Sequence, residues 1–334
     1  LQPLEVTYLR CLSFAAMPML LMAAINGFFS GRGQTWTVLG IEAFGTAVNV
    51  LLALVLIFGR FGFPEMGIAG AGWSTVIGSW ASALLALGLL FRRSYRTHFN
   101  VLAWRIERDL FYRLMKYGGP AGTQVFLDVL VFNLFVQMVG RLGDAAMGAT
   151  TLAVRLNMIA FLPMMGLGQA ICILVGQRLG GDRPELAEKS VYTGLRWALG
   201  YMSVVAAIYL LLPGVLVALF EGDKDPAEFA AVAALVPGLL VCVAVFSLAD
   251  AGNMTFGFAL RGAGDTRFVT AATFCLAWPI MVLPTYLVVA AEGNIDSAWW
   301  FATAHIFAMA FTFYLRFRAG KWKTMRVIEP ALAE

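Results

Sequence analysis

Three carboxylates stand inside stretches that are otherwise apolar: Glu42, Asp128 and Asp250. An ionised acid at the centre of a bilayer costs at least about 2.5–3.5 kcal/mol even on the lenient insertion scale, so each needs a cation, a wet cavity or a proton. Asp128 lies twelve residues from Lys116 and thirteen from Arg141, and Asp250 lies eleven from Arg261. At 1.5 Å per residue, both acids sit about 17 Å from the cytoplasmic ends of their helices. Two acids at one depth on neighbouring helices would form one site. In a half-dry cavity such an acid takes a proton from one side and gives it up when a cationic substrate arrives. A purely structural alternative exists for Asp128, a pair with Arg155, the lone basic residue deep in the next helix.

Around the acids the polar residues are amides. Gln124, Asn133, Gln137 and Asn253 share their helices, and Asn157 and Gln169 stand in the span that follows Asp128; each either lines a cavity or bonds between helices. Glu42 lies seven residues before Asn49, on the same helical face. His305 reads as a structural histidine. The 15 methionines and 26 phenylalanines suit an adaptable apolar cavity, although most must face lipid or the bundle core. Cys11, Cys172, Cys242 and Cys275 are single, giving neither a metal site nor a disulfide framework. No HExxH, GxSxG or paired aspartates near one surface are present, so an enzyme is not expected, nor a bound cofactor.

The elements that must hold these residues are membrane helices. The chain has 334 residues, 60% apolar and 13% charged, with mean hydropathy +0.78. A soluble domain carries about 25% charged residues, and disorder needs few apolar ones. The net charge of +4 has no basic stripe, which argues against a nucleic-acid partner. A bilayer crossing takes about 20 apolar residues. The pattern predicts nine spans, at 8–31, 34–58, 68–91, 113–140, 144–176, 190–214, 228–261, 265–291 and 297–317. These runs are too long, and alternate too little, for a strand barrel. Prolines 163, 237, 279 and 284 are expected to interrupt their helices and free carbonyls there.

Lysines and arginines in the connections number 16 on one side and 3 on the other, which places the amino end outside and the carboxyl end in the cytoplasm. The outer loops are acidic, with Glu221, Asp223 and Asp225. Segment 92–109, with Arg92, Arg93, Arg96, Arg105 and Arg108, reads as a connector along the inner membrane surface. The start at Leu1, with no cationic leader, reads as a piece of a longer protein.

One turn occurs twice. Gly31-Arg32-Gly33-Gln34-Thr35 follows the first span and Gly262-Ala263-Gly264-Asp265-Thr266 follows the seventh, 231 residues later. Glycine permits the reversal and Thr or Asp is expected to cap the next helix. Matching positions suggest an internal repeat of the kind secondary transporters use.

The middle of the chain is more specific. Pro163-Met-Met-Gly166-Leu-Gly168-Gln-Ala170, then Val175-Gly176-Gln177-Arg178-Leu179-Gly180, resembles the eighth helix of the multidrug and toxic compound extrusion (MATE) family, and Val139-Gly140-Arg141-Leu142-Gly143 resembles the end of the helix before it. Asn49, Ile57-Phe58-Gly59 and Gly67 to Gly72 are similar to that family's fifth and sixth helices. The nine spans then match helices four to twelve of a twelve-helix, V-shaped two-lobe protein, an all-α membrane bundle lacking its first three helices. Residues 1–91 would be the back half of the amino-terminal lobe, 92–112 a basic connector, 113–318 the carboxy-terminal lobe and 319–334 a cytoplasmic tail.

The resemblance implies a monomeric multi-pass antiporter of the inner cell membrane, in contact with membrane lipid. It would export small amphipathic compounds in exchange for protons or sodium. Asp128, eight residues after Pro120, matches a membrane-embedded glutamate, and Asp250, twelve before Gly262, matches the tenth-helix aspartate. Both would couple the cation, with sodium, if used, bound there. The substrate cavity would be lined by Gln124, Asn133, Arg155, Asn157, Phe246 and Asn253, with Glu42 and Asn49 from the amino lobe. Three departures stand out: Ala53 where the family often has an acid or amide, Phe246 where some members have tyrosine, and Arg155, whose fixed charge would favour neutral or zwitterionic substrates. The alternative is a flippase for lipid-linked precursors, which would need many cavity arginines where only Arg155 lies deep.

Overall fold

The computed structural model describes residues 2–99, 101, 107–220, 226–291 and 293–325. The expected acidic outer residues Glu221, Asp223 and Asp225, together with Arg105 and the end of the tail, lie outside them. The described residues are helical, without strands, and eight helices are long and apolar enough to cross a membrane, or nine with one bent pair taken as a single span. The chain divides into two units, Leu1–Ile106 and Glu107–Glu334.

The first unit holds α1 (Gln2–Ser13), α2 (Ala16–Gly31), α3 (Thr35–Phe58), α4 (Gly67–Leu90) and the short α5 (Arg93–Phe99). The first expected span, 8–31, is not one straight helix, because α1 and α2 meet at 47°. Pro18 offers no N–H and its ring clashes with the carbonyl four residues back, at Phe14, so the chain leaves the helix at Phe14–Ala15. α3 and α4 form the closest pair. A Cβ on Gly45 would collide with Ser82 Oγ, and one on Gly78 would lie 2.9 Å from the Gly45 carbonyl oxygen. Small residues let these backbones approach, as membrane interfaces require.

Part of the expected connector belongs to this unit. Tyr95 donates its hydroxyl to Gln34 Oε1 at 3.1 Å, Phe99 packs edge-on against Phe28, and the Arg32 guanidinium lies 4.2 Å over the Phe99 ring. From Arg108 onward the same stretch is already a membrane-length helix of the second unit.

That unit comprises α6 (Arg108–Gly140), α7 (Asp144–Gly180), α8 (Pro184–Leu211), α9 (Pro213–Ala218), α10 (Pro226–Gly262), α11 (Thr266–Ala277), α12 (Leu283–Ala290) and α13 (Ile295–Arg318). α10 is the central post, packed on α7, α8 and α13. The eighth expected span, 265–291, is α11 and α12 joined through a π-turn at Trp278–Val282, with Pro279 inside it and Pro284 just beyond. Pro163 and Pro237 depart from expectation, for α7 and α10 run through them as continuous helices. Each proline removes one N–H, and the rest of a 37-residue helix, held by its neighbours, carries the deficit.

The glycine-rich stretch of α7 is a packing seam. A Cβ on Gly168 would lie 2.5 Å from the Phe258 ring of α10, and one on Gly262 would collide with the Cys172 carbonyl oxygen. The motif that is most distinctive in sequence therefore sets how closely α7 and α10 approach.

Both copies of the repeated turn have one geometry. Gly33 and Gly264 take φ of 76° and 89°. Gly33 N–H bonds to the Ser30 carbonyl and Gln34 N–H to Phe29. Gly264 N–H bonds to Arg261 and Asp265 N–H to Leu260. This is the glycine-terminated helix end in which a left-handed residue closes the last carbonyls. The expected side-chain caps are absent, since neither Gln34 nor Asp265 caps its helix. Asp265 is instead drawn to a full charge, with Oδ2 2.7 Å from Arg316 Nε of α13.

Candidate functional site

A cavity of about 390 Å³ opens within the second unit. Gln124, Asp128 and Asn133 face it from α6, Asn157 from α7, Phe246, Asp250, Asn253 and Arg261 from α10, Thr273 from α11, and Trp299 and His305 from α13. Helical periodicity arranges them. On α6, positions 124, 128, 131, 132 and 135 share one face, and on α10 so do 246, 250, 253, 254 and 261. Apolar side chains such as Phe132, Phe161, Met254 and Met281 make up the rest of the wall.

The two acids meet different company. Asp128 opens onto the cavity, accepts a long hydrogen bond from Gln124 Nε2 (3.5 Å), and lies within electrostatic reach of the Arg261 guanidinium. Asp250 is 6% exposed and accepts from Asn253 Nδ2 at 2.9 Å. The arrangement is an apolar chamber with two carboxylates and one guanidinium, suited to holding an amphipathic molecule by its charged ends.

Of the residues expected here, Gln124, Asp128, Asn133, Asn157, Phe246, Asp250 and Asn253 are brought together. Glu42 and Asn49 line a separate cavity of about 480 Å³ within the first unit, where Asn26 Nδ2 donates to Glu42 Oε1 (2.8 Å) and Asn49 Nδ2 to Thr75 Oγ1 (3.3 Å). Gln137 and Gln169 line neither. Arg155 is a correction, being exposed, absent from the cavity wall and not paired with Asp128. On α7 the lining stripe is Val154, Asn157, Met158 and Phe161, and residue 155 points about 100° from its centre.

Three residues of the cavity wall do not stand out in the sequence. Arg261 counted only as a loop charge, yet eleven residues is 20° beyond three full turns, so it shares the face of Asp250. His305 is 7% exposed with Nδ1 unpaired, and Thr273 is 2% exposed with Oγ1 unpaired.

Comparison with known proteins places this geometry. The MatE family model matches residues 120–287, half of the chain, and so takes in the cavity-lining parts of α6, α7, α10 and α11 but not α13. The multidrug resistance protein NorM of Burkholderia vietnamiensis is 30% identical over 314 residues, covering 93% of this chain and 67% of that protein. The chain belongs to the MATE family. Multidrug resistance protein PmpM of Pseudomonas aeruginosa is 32% identical over 271 residues, covering 80% of this chain and 54% of its own. A probable multidrug resistance protein NorM of Brucella suis is 29% identical, with 55% of its length covered, so this MATE chain spans about half the length of such relatives. Among solved structures, an outward-facing multidrug resistance MATE transporter of the MOP superfamily superposes with a TM-score of 0.84 at 18% identity, over 96% of this chain and 71% of that one. MATE proteins are multi-pass membrane transporters rather than enzymes.

One mutation follows from the correction at α7. Arg155→Gln is expected to cause no loss of stability, because Arg155 is exposed and forms no ion pair with Asp128 that the change would break. Thermal melting in detergent checks it, and a loss of several degrees would restore Arg155 as a buried partner.

Proposed function

We propose that the protein exports amphipathic small molecules across the inner cell membrane in exchange for protons or sodium, with Asp128 and Asp250 carrying the coupling. The observation behind this reading is the chamber itself, in which both intramembrane acids of the second unit face one apolar cavity of small-molecule size. A carboxylate there is neutral when protonated and a counter-ion when not, so substrate and coupling cation compete for it. Sodium, as cargo, would draw on a single carboxylate with amide and hydroxyl oxygens, since no three His, Cys, Asp or Glu side chains converge among the described residues. The drug-resistance names of the relatives support the export reading. A pyrophosphate-carrying substrate fits poorly, because Arg261 is the one arginine on this wall.

The test is transport by the whole protein in vesicles with an imposed pH or sodium gradient, using a fluorescent amphipathic cation. Movement driven by one gradient and abolished by its collapse is expected. No gradient-dependent movement of any amphipathic probe would refute the proposal.

A further inference from the structure

The first unit gathers positive charge at the end where α2 and α4 finish and α3 begins. Arg32, Arg92, Arg93 and Arg96 are all exposed there. Around α5, Arg92, Arg93 and Arg96 span one arc of about 100°, and Tyr95 and Phe99 occupy another. The aromatic arc ties α5 to the α2–α3 turn. Tyr95 donates to Gln34 Oε1 at 3.1 Å, and the Arg32 guanidinium lies 4.2 Å over the Phe99 ring and 5.6 Å over that of Tyr95. The three arginines of α5 are therefore held beside Arg32. Among the described residues none of the four has a carboxylate within ion-pair distance, and the sequence holds no acid between Glu65 and Glu107. The other copy of the turn is answered internally. There Ala263 stands in place of Arg32 and is buried, and Arg316 is paired with Asp265.

The surroundings give the class of partner. Trp36, in the first turn of α3, is 83% exposed, and Phe91 and Phe99 are exposed next to the arginines. Exposed aromatic rings at the ends of membrane helices sit at headgroup level. A short helix with a basic face and exposed rings beside it lies in that interface. The anion available at that level is phosphate, which guanidinium matches with paired N–H donors, and a ring-stacked arginine keeps its N–H edge outward. We propose that Arg32, Arg92, Arg93 and Arg96 form a binding surface for the phosphate of anionic phospholipids in the cytoplasmic leaflet, with Trp36, Phe91 and Phe99 against the lipid. The surface belongs to the first unit alone and does not depend on the export reading.

The experiment follows, by fluorescence anisotropy, the binding of labelled phosphatidylglycerol and of labelled phosphatidylcholine to the whole protein in a nonionic detergent. An arginine near an anionic surface corresponds to about a fivefold gain in affinity. Wild type is therefore expected to prefer phosphatidylglycerol by about tenfold or more at low salt, and by less at high salt. Arg92→Gln, Arg93→Gln and Arg96→Gln together should lower that ratio at least about fivefold with melting unchanged, since all three side chains are exposed. Arg93→Gln alone should lower it severalfold, which keeps the test decisive if the triple variant misfolds. Arg183→Gln, Lys189→Gln and Lys321→Gln together remove the same charge from exposed positions of the second unit and should leave the ratio in place. Equal losses in the two triple variants would reduce the effect to net charge and overturn the site. No preference in wild type would overturn it too. Inorganic phosphate at matched ionic strength should not displace the lipid; displacement as effective as that by unlabelled phosphatidylglycerol would mark a free-anion site and overturn the lipid assignment.

Discussion

Asp250→Asn is expected to reduce gradient-driven efflux to the level of protein-free vesicles while the protein stays folded and inserted. Asp250 is the most enclosed acid of the cavity and holds one hydrogen bond, from Asn253. An amide at this position keeps an oxygen to accept that bond, so stability should change by no more than about 1 kcal/mol. What it loses is the ability to alternate between a neutral and a charged form, which is the whole of its proposed role. Efflux in vesicles and melting in detergent should be measured together, with Asp250→Glu as the variant that retains a titratable group and partial transport. Normal transport by a well-folded Asp250→Asn protein would remove this acid from the mechanism.

The second large effect is on stability. Asp265→Ala should destabilise the second unit by about 2–4 kcal/mol. The Asp265 side chain is 7% exposed and its Arg316 partner 22%, with Nε 2.7 Å from Oδ2. Removing one member of a fully buried pair costs about 3–5 kcal/mol, because the survivor is left charged and unpaired. The partial exposure of Arg316 discounts that figure. Arg316 also lies 4.6 Å over the Phe268 ring, so it cannot swing into solvent without losing a second contact. Asp265→Ala with Arg316→Met should recover much of the loss, since both charges then leave together. A double-mutant cycle in melting measurements gives the coupling. A single Asp265→Ala mutant that melts like wild type would show that the pair contributes nothing.

The relation between the two acids illustrates how far spacing carries. Counting from Lys116, Arg141 and Arg261 placed both at one depth, and the structure puts both on one cavity. Their partners differ, however. Asp128 has Gln124 and the field of Arg261, whereas Asp250 has Asn253. A reading by depth alone could not distinguish them, because depth runs along a helix and partners are chosen around it. Arg155 failed for the same reason: it lies deep, but on the wrong face of α7.

Some features were determined by the sequence alone. Long apolar runs must become helices in a bilayer, where every backbone group needs an internal partner, so the number and order of the spans follow from composition and length. The glycines at 33 and 264 had to close helices, because their left-handed φ is costly for any other residue. Three things were decided only by tertiary structure. Pro18 bends its helix pair and Pro163 does not break α7, since neighbours determine whether a missing N–H can be tolerated. Asp265 gave up its capping role for Arg316, a residue 51 positions away, because a full charge binds more strongly than a backbone amide. Arg261, Thr273 and His305 became cavity walls because three separate helices, α10, α11 and α13, turn those faces inward. Local periodicity says which residues share a face, but only packing says what that face meets.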